Sequence, residues 1–171
     1  WALSDVKLGA DGQQAEDYGR ILEVANDGRI GNRVLVNGRL AGAGVRVEVR
    51  TGERIRLRLI NTATARRFRL QFPGHAAMLI ALDGQSIEPQ AADTIELAPA
   101  MRADVVIDCT GRPGQSLAVT DVARSGAGEI ARFVYTSKPL RSKPMAAPIR
   151  LAPNRLPEPD LSKAVDHYIL F

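Results

Sequence analysis

Few side chains in this sequence could bind a metal or attack a substrate. They are one thiol (Cys109), two imidazoles (His75 and His167) and three thioethers (Met78, Met101 and Met145). A thiolate, two imidazoles and a weak axial thioether form the ligand set of a mononuclear copper electron-transfer site. His75 stands 34 positions before Cys109, a workable first leg. The second leg fails, because no imidazole follows Cys109 until His167, beyond a proline tract. Cys109 also shares its phase with Ala103, Val105 and Ile107, so it is expected to point inward as a small packing thiol. One cysteine excludes an internal disulfide and any multi-thiolate zinc site. His75 follows Pro73-Gly74 and reads as an exposed or backbone-bonded turn residue. His167 reads as a solvent-side residue, and the methionines show no clustering. No Ser stands in a nucleophile-elbow context. Gly42 and Gly44 precede no helix, so a phosphate loop is not expected.

Two charged patterns remain. Asp104 and Asp108 share one face of a strand pattern and read as solvated carboxylates. Arg54, Arg56 and Arg58 form a stripe, within a stretch from Arg46 to Arg69 that holds eight Arg against Glu48 and Glu53. Such a stripe suits RNA phosphates only with exposed aromatics beside it. Phe68 and Phe72 are near but point inward, so a solvated face or a domain contact is expected.

The elements that must position these residues are strands. Apolar and polar residues alternate in Val45-Arg46-Val47-Glu48-Val49-Arg50, in Arg54 to Leu59 and in Arg67 to Phe72. Period two marks a strand with one buried and one wet face. A helix would scatter Ile55, Leu57 and Leu59 over several faces. Each buried Ile, Leu or Phe is worth roughly 1.5–3 kcal/mol, so the alternation decides the fold. Further strands are expected at Trp1–Lys7, Val34–Val36, Met78–Leu82, Thr94–Leu97, Ala103–Cys109, Ser116–Asp121 and Ala131–Tyr135. Asn37-Gly38 and Asp83-Gly84 supply tight turns. Short strands about ten residues apart, broken by Gly, Pro and Asp, predict an all-β sandwich or barrel. Gly9 to Gly31 reads as a long loop. Lys138 to Pro159 holds six of the ten prolines and is expected to be extended and outside the sheets. Asp166 to Phe171 reads as a strand just beginning.

The chain has 171 residues, 45% of them apolar and 25% charged, as in a soluble globular domain. Its formal charge of +4 lies mostly after Lys138. The balanced body argues against a nucleic-acid binder. No apolar run is long enough for a spanning helix. No export signal opens the sequence. The chain starts at Trp1, which suggests a processed product or an excised piece.

One family shares these residues in order. Gly31-Asn32-Arg33-Val34-Leu35-Val36-Asn37-Gly38 resembles the opening of the middle cupredoxin domain of three-domain multicopper oxidases. Thr51-Gly52-Glu53-Arg54-Ile55-Arg56-Leu57-Arg58-Leu59-Ile60-Asn61 is similar to that domain's next strand. Phe68-Arg69-Leu70, Gly74-His75, Ala81-Leu82-Asp83-Gly84-Gln85, Glu88-Pro89 and Leu97 to Val105 continue the order. Leu3-Ser4-Asp5 and Asp11-Gly12-Gln13 resemble the start of the domain in bacterial laccase-like members. Leu156-Pro157-Glu158-Pro159-Asp160-Leu161 resembles the linker into the third domain. The resemblance implies a cupredoxin-like Greek-key β-sandwich over residues 1–137, followed by a Pro-rich linker and the start of a next strand over residues 138–171. It implies a parent enzyme that oxidises phenols or metal ions and reduces dioxygen to water at four coppers. The family's copper motifs, H-x-H, H-x-x-H-x-H and H-C-H-x3-H, are not found here. No catalytic, cofactor-binding or metal residue is therefore assigned, and copper is expected in the parent only. The implied role is to space the neighbouring cupredoxin domains of the same chain and help wall the substrate cleft, in the periplasm. No nucleic-acid or membrane partner is expected. A copper-free scaffold related to the family is the alternative.

Overall fold

The alternating segments become strands of two mixed sheets in a computed structural model, which describes residues 1–25, 28–123, 128–143, 145–146, 149–157 and 159–170. The strands are β1 (Ala2–Val6), β2 (Arg33–Val36), β3 (Arg39–Leu40), β4 (Arg46–Val49), β5 (Arg54–Asn61), β6 (Phe68–Gln71), β7 (Ala76–Leu82), β8 (Gln85–Ala91), β9 (Ile95–Leu97), β10 (Arg102–Asp108), β11 (Ser116–Asp121) and β12 (Gly128–Tyr135). The larger sheet runs β3-β2-β1-β5-β10-β7-β8, the smaller β4-β12-β11-β6-β9. Each has one parallel pair, β1 with β5 and β4 with β12. The fold is all-β.

Residues of one phase meet in one core. Leu3, Val36, Leu57, Leu59, Val105 and Ile107 come from the larger sheet, and Val49, Leu70, Leu97, Val119 and Phe133 from the smaller. Cys109 is fully enclosed among them. The turns at Asn37-Gly38 and Asp83-Gly84 take positive φ at both central positions, the geometry that matches strand twist.

Three differences from expectation stand out. β8 was not among the strands expected, and it carries Pro89. It forms because it lies at the sheet edge, where a missing N–H costs no ladder bond. The Gly9–Gly31 segment is more than a loop. It carries the short helix α1 (Ile21–Ala25) and is pinned by side chains. Gly31 N donates to Asp5 Oδ2 at 2.5 Å, and Arg66 bonds both Asp5 and the Gly31 carbonyl, at 3.1 and 2.7 Å. Asn26 and Asp27 lie outside the described residues. Residues 166–170 form no strand, and their side chains are exposed. Among the described residues no strand lies beside them to complete a ladder. Phe171 lies outside the described residues.

The proline-rich segment is extended and outside the sheets where described; Pro144, Pro148 and Glu158 fall outside. It is held at both margins of one face. Arg54 on β5 donates to the Met145 carbonyl at 2.9 Å, Arg150 pairs with Glu88 on β8 at 3.0 Å, and Asn154 donates to Gln85 at 2.7 Å. β10 and β7 lie between those anchors. Their Val106, Ile80 and Ala81 are buried yet stand apart from the main core. The segment thus straps the outer face of the larger sheet.

Candidate functional site

Pairing of β5 with β10 decides what the charged stripe does. Their register sets Arg58 opposite Asp104 and Arg54 opposite Asp108. Arg54 grips Asp108 with two hydrogen bonds of 2.7 and 2.9 Å. Arg56 bonds Asp104, and Arg58 approaches the same carboxylate at 3.6 Å. The Asp108 bond raises the Arg54 pKa, with burial opposing it. Asp104 and Asp108 are therefore ion-paired rather than simply solvated, and the Arg charge is largely matched across the strands.

A second cluster fixes α1. Lys7 Nζ contacts Asp17 and Glu23 at 2.5 and 2.6 Å, and Arg29 donates to Asp17 at 2.9 Å. The Arg29 guanidinium also stands 4.3 Å above the Tyr18 ring. Hydrogen bonds from Lys7 and then Arg29 hold the Asp17 carboxyl down at about 2.

The thiol and one imidazole meet a tyrosine that sequence reasoning did not single out. β12 ends on Tyr135, whose ring is 1% exposed. His75 is not a free turn residue: its Nε2 lies 2.7 Å from the Tyr135 hydroxyl, and its ring stacks on Tyr135 and stands edge-on to Phe133. Burial lowers the His75 pKa. The Pro73 carbonyl opposes this, although no fully formed hydrogen bond reaches Nδ1. Cys109 lies beside the same hydroxyl, and burial pushes its thiol up to about 11. Burial likewise carries Tyr135 up to about 12. Gly111 lets the chain leave β10 over this ring, since a Cβ there would stand 2.5 Å from it. Only the alternation of Ala131 to Tyr135 hinted that Tyr135 faces inward.

These donors do not suit copper. Cys109 packs beside Tyr135, the His75 Nε2 is taken up by that hydroxyl, and His167 stands exposed beyond the strap. Met101 sits at the other cleft described below, where its sulfur accepts from Ala98 N at 3.3 Å. Among the described residues no group of three or more His, Cys, Asp or Glu is placed to hold a metal. Among them also, no helix is long and apolar enough to cross a membrane.

A cleft of about 730 Å3 opens at the β6–β9 end of the smaller sheet. Its floor is Phe68, Leu97 and Met101, and its rim carries Arg67, Arg69 and Glu96. Asn61 builds this end. Its buried amide donates to the Arg66 and Leu97 carbonyls at 2.8 and 3.0 Å and accepts from Ala63 N at 2.9 Å. Apolar floors with a few polar rim groups are the usual form of a small-molecule site.

The comparisons with known proteins agree with this architecture. Residues 9–139 match the family model described as multicopper oxidase. A crystal structure of a multicopper oxidase from Pseudomonas thermotolerans superposes with a TM-score of 0.77 at 30% identity, covering 94% of this chain and 37% of that one. The cell division protein FtsP of Edwardsiella tarda is 35% identical over 156 residues, 80% of this chain and 31% of its own length. The multicopper oxidase MmcO of Mycobacterium tuberculosis is 34% identical over 77 residues, 45% of this chain and 15% of that protein. The chain thus spans well under half the length of these relatives. With its two-sheet fold and the match over most of its length, this chain belongs to the multicopper oxidase family.

Proposed function

We propose that this chain is the copper-free middle domain of a laccase-like multicopper oxidase. In that reading the full-length protein oxidises phenols or metal ions at four coppers and reduces dioxygen to water. This domain spaces the copper-bearing domains and lends the apolar β6–β9 cleft to the wall of the substrate channel. The observation that carries the reading is the state of the donors: a cupredoxin-like sandwich whose one thiol is buried beside Tyr135, whose His75 Nε2 is taken up by that same hydroxyl, and whose other imidazole, His167, stands exposed beyond the strap. Coverage of 37% of a solved oxidase suits one of three comparable domains. The flanking cupredoxin domains of the same chain are the partners, and the compartment is the periplasm.

The test has two arms. The parent sequence should carry H-x-H before Trp1 and H-C-H after Phe171. In the parent oxidase, Met101→Arg should raise KM for a phenolic dye roughly tenfold with kcat little changed, the scale of one altered pocket contact. An unchanged KM removes the cleft from the account.

A second reading rests on the FtsP match, which spans 80% of this chain. It makes the parent a copper-free scaffold of the same fold. Absence of both histidine motifs from the parent would select it.

A further inference from the structure

Aromatic residues are scarce in this protein, with one Trp, three Tyr and four Phe. Trp1, Phe72, Phe133 and Tyr135 nevertheless gather in one stack with His75. Ring centroids lie 6.1 Å apart from Trp1 to Phe133, 5.0 Å from Phe133 to His75 and 5.9 Å from His75 to Tyr135. Two readily oxidised side chains, Trp1 and Tyr135, therefore sit at the ends of a short ring path. The outer one is partly exposed and the inner one is buried.

We propose that Tyr135 is a redox-active tyrosine. Its phenol yields one electron to an oxidant that reaches Trp1, while its proton moves along the existing hydrogen bond to His75 Nε2. The oxidant is a one-electron acceptor such as a peroxyl radical or a high-potential metal complex, and it gains that electron. Trp1 is oxidised first and is restored by the electron from Tyr135. Tyr135 becomes a neutral tyrosyl radical and His75 an imidazolium. No bond between heavy atoms forms or breaks. A one-electron reductant such as ascorbate returns the electron, and His75 returns the proton.

The surroundings support each part. Burial holds the Tyr135 hydroxyl near 12, so the phenol does not ionise beforehand at neutral pH. Oxidation then requires a base in contact. His75 is that base, 2.7 Å away and kept neutral at pH 7 by its own burial. In the tautomer protonated on Nδ1, its Nε2 accepts from the phenol. The Cys109 thiol beside them is held up at about 11, so it offers no thiolate to compete as the first donor. The inference does not depend on copper in the parent.

The test uses the chain carrying Tyr18→Phe and Tyr168→Phe, which removes the two exposed tyrosines and leaves Tyr135 alone. A ruthenium polypyridyl photo-oxidant with a sacrificial cobalt acceptor supplies the oxidising equivalent, and radicals are followed by transient absorption and electron paramagnetic resonance. A tyrosyl signal is expected, preceded by a tryptophanyl one. Tyr135→Phe should abolish the tyrosyl signal, and Trp1→Phe the earlier one. His75→Gln keeps a hydrogen-bond partner but not a base, and should slow tyrosyl formation on the order of 100-fold, as loss of a positioned base does. With His75 intact, deuterated solvent should also slow it. The proposal is overturned if the Tyr135-only chain gives no tyrosyl radical. It is also overturned if His75→Gln or deuterated solvent leaves the rate unchanged.

Discussion

The Asp5–Arg66 pair and the ladder from Arg54 to Arg58 both join charged groups to the larger sheet, but water reaches them very differently. Asp5 and Arg66 are 4% and 5% exposed, and the same two groups satisfy the backbone of Gly31. Arg58 is 74% exposed against an Asp104 that it shares with Arg56. A buried pair is costly to assemble and costlier to break, because the partner left behind has lost its water. An exposed pair is screened and replaceable. The first therefore fixes the path of the chain from β1 through α1 to β2. The second balances charge on a face that the strap and solvent share.

Breaking each pair separates the two cases. Arg66→Ala strands the Asp5 carboxylate and should cost about 3–5 kcal/mol in urea unfolding. Arg54→Gln removes a half-buried, two-bond grip on Asp108 and a tie to the strap, and should cost about 1 kcal/mol. Arg58→Gln should cost less than about 0.5 kcal/mol, and that difference should vanish in 1 M salt, where the screening length is about 3 Å. A loss for Arg58→Gln as large as that for Arg66→Ala would erase the distinction.

The Lys7–Asp17–Arg29 cluster sharpens the comparison from a third position. The folded Asp17 carboxyl titrates at about 2 instead of 3.8. Its contribution is fully present above pH 3.8 and is lost as pH falls toward 2. Asp17→Asn should therefore flatten the pH dependence of the melting temperature in that window and leave the slope near neutrality unchanged.

Legibility in the sequence followed the same divide between local and distant causes. Alternation located β4, β5, β6 and β10 because burial on one face of a strand is a local, period-two property. The same alternation put Arg54 and Arg58 on one outer face and Asp104 and Asp108 on another. Their meeting needed the register of β5 against β10, which no single strand carries. Asp5 and Arg66 lie 61 positions apart, and neither stands in a pattern that selects the other. His75 looked like a turn residue, which it is. Its hydrogen bond comes from Tyr135, 60 positions later, and so escaped notice. Residues 166–170 show why a local strand pattern is insufficient: a strand needs a neighbour to pair with, and none lies there among the described residues. The family could be read from ordered motifs. The strap could not, because its anchors at Glu88 and Gln85 come from β8, a strand that was not among those expected, and lie more than 60 positions from their partners.

The account rests on a sandwich of the multicopper oxidase family whose lone thiol is buried as packing, whose His75 is hydrogen-bonded to Tyr135, and whose His167 stands exposed apart from both. Titrating the isolated chain with copper(II), followed by gel filtration and elemental analysis, tests it most directly. The predicted result is no copper retained in stoichiometric amount and no intense thiolate-to-copper absorption. One copper held tightly per chain, lost in Cys109→Ser, would contradict it.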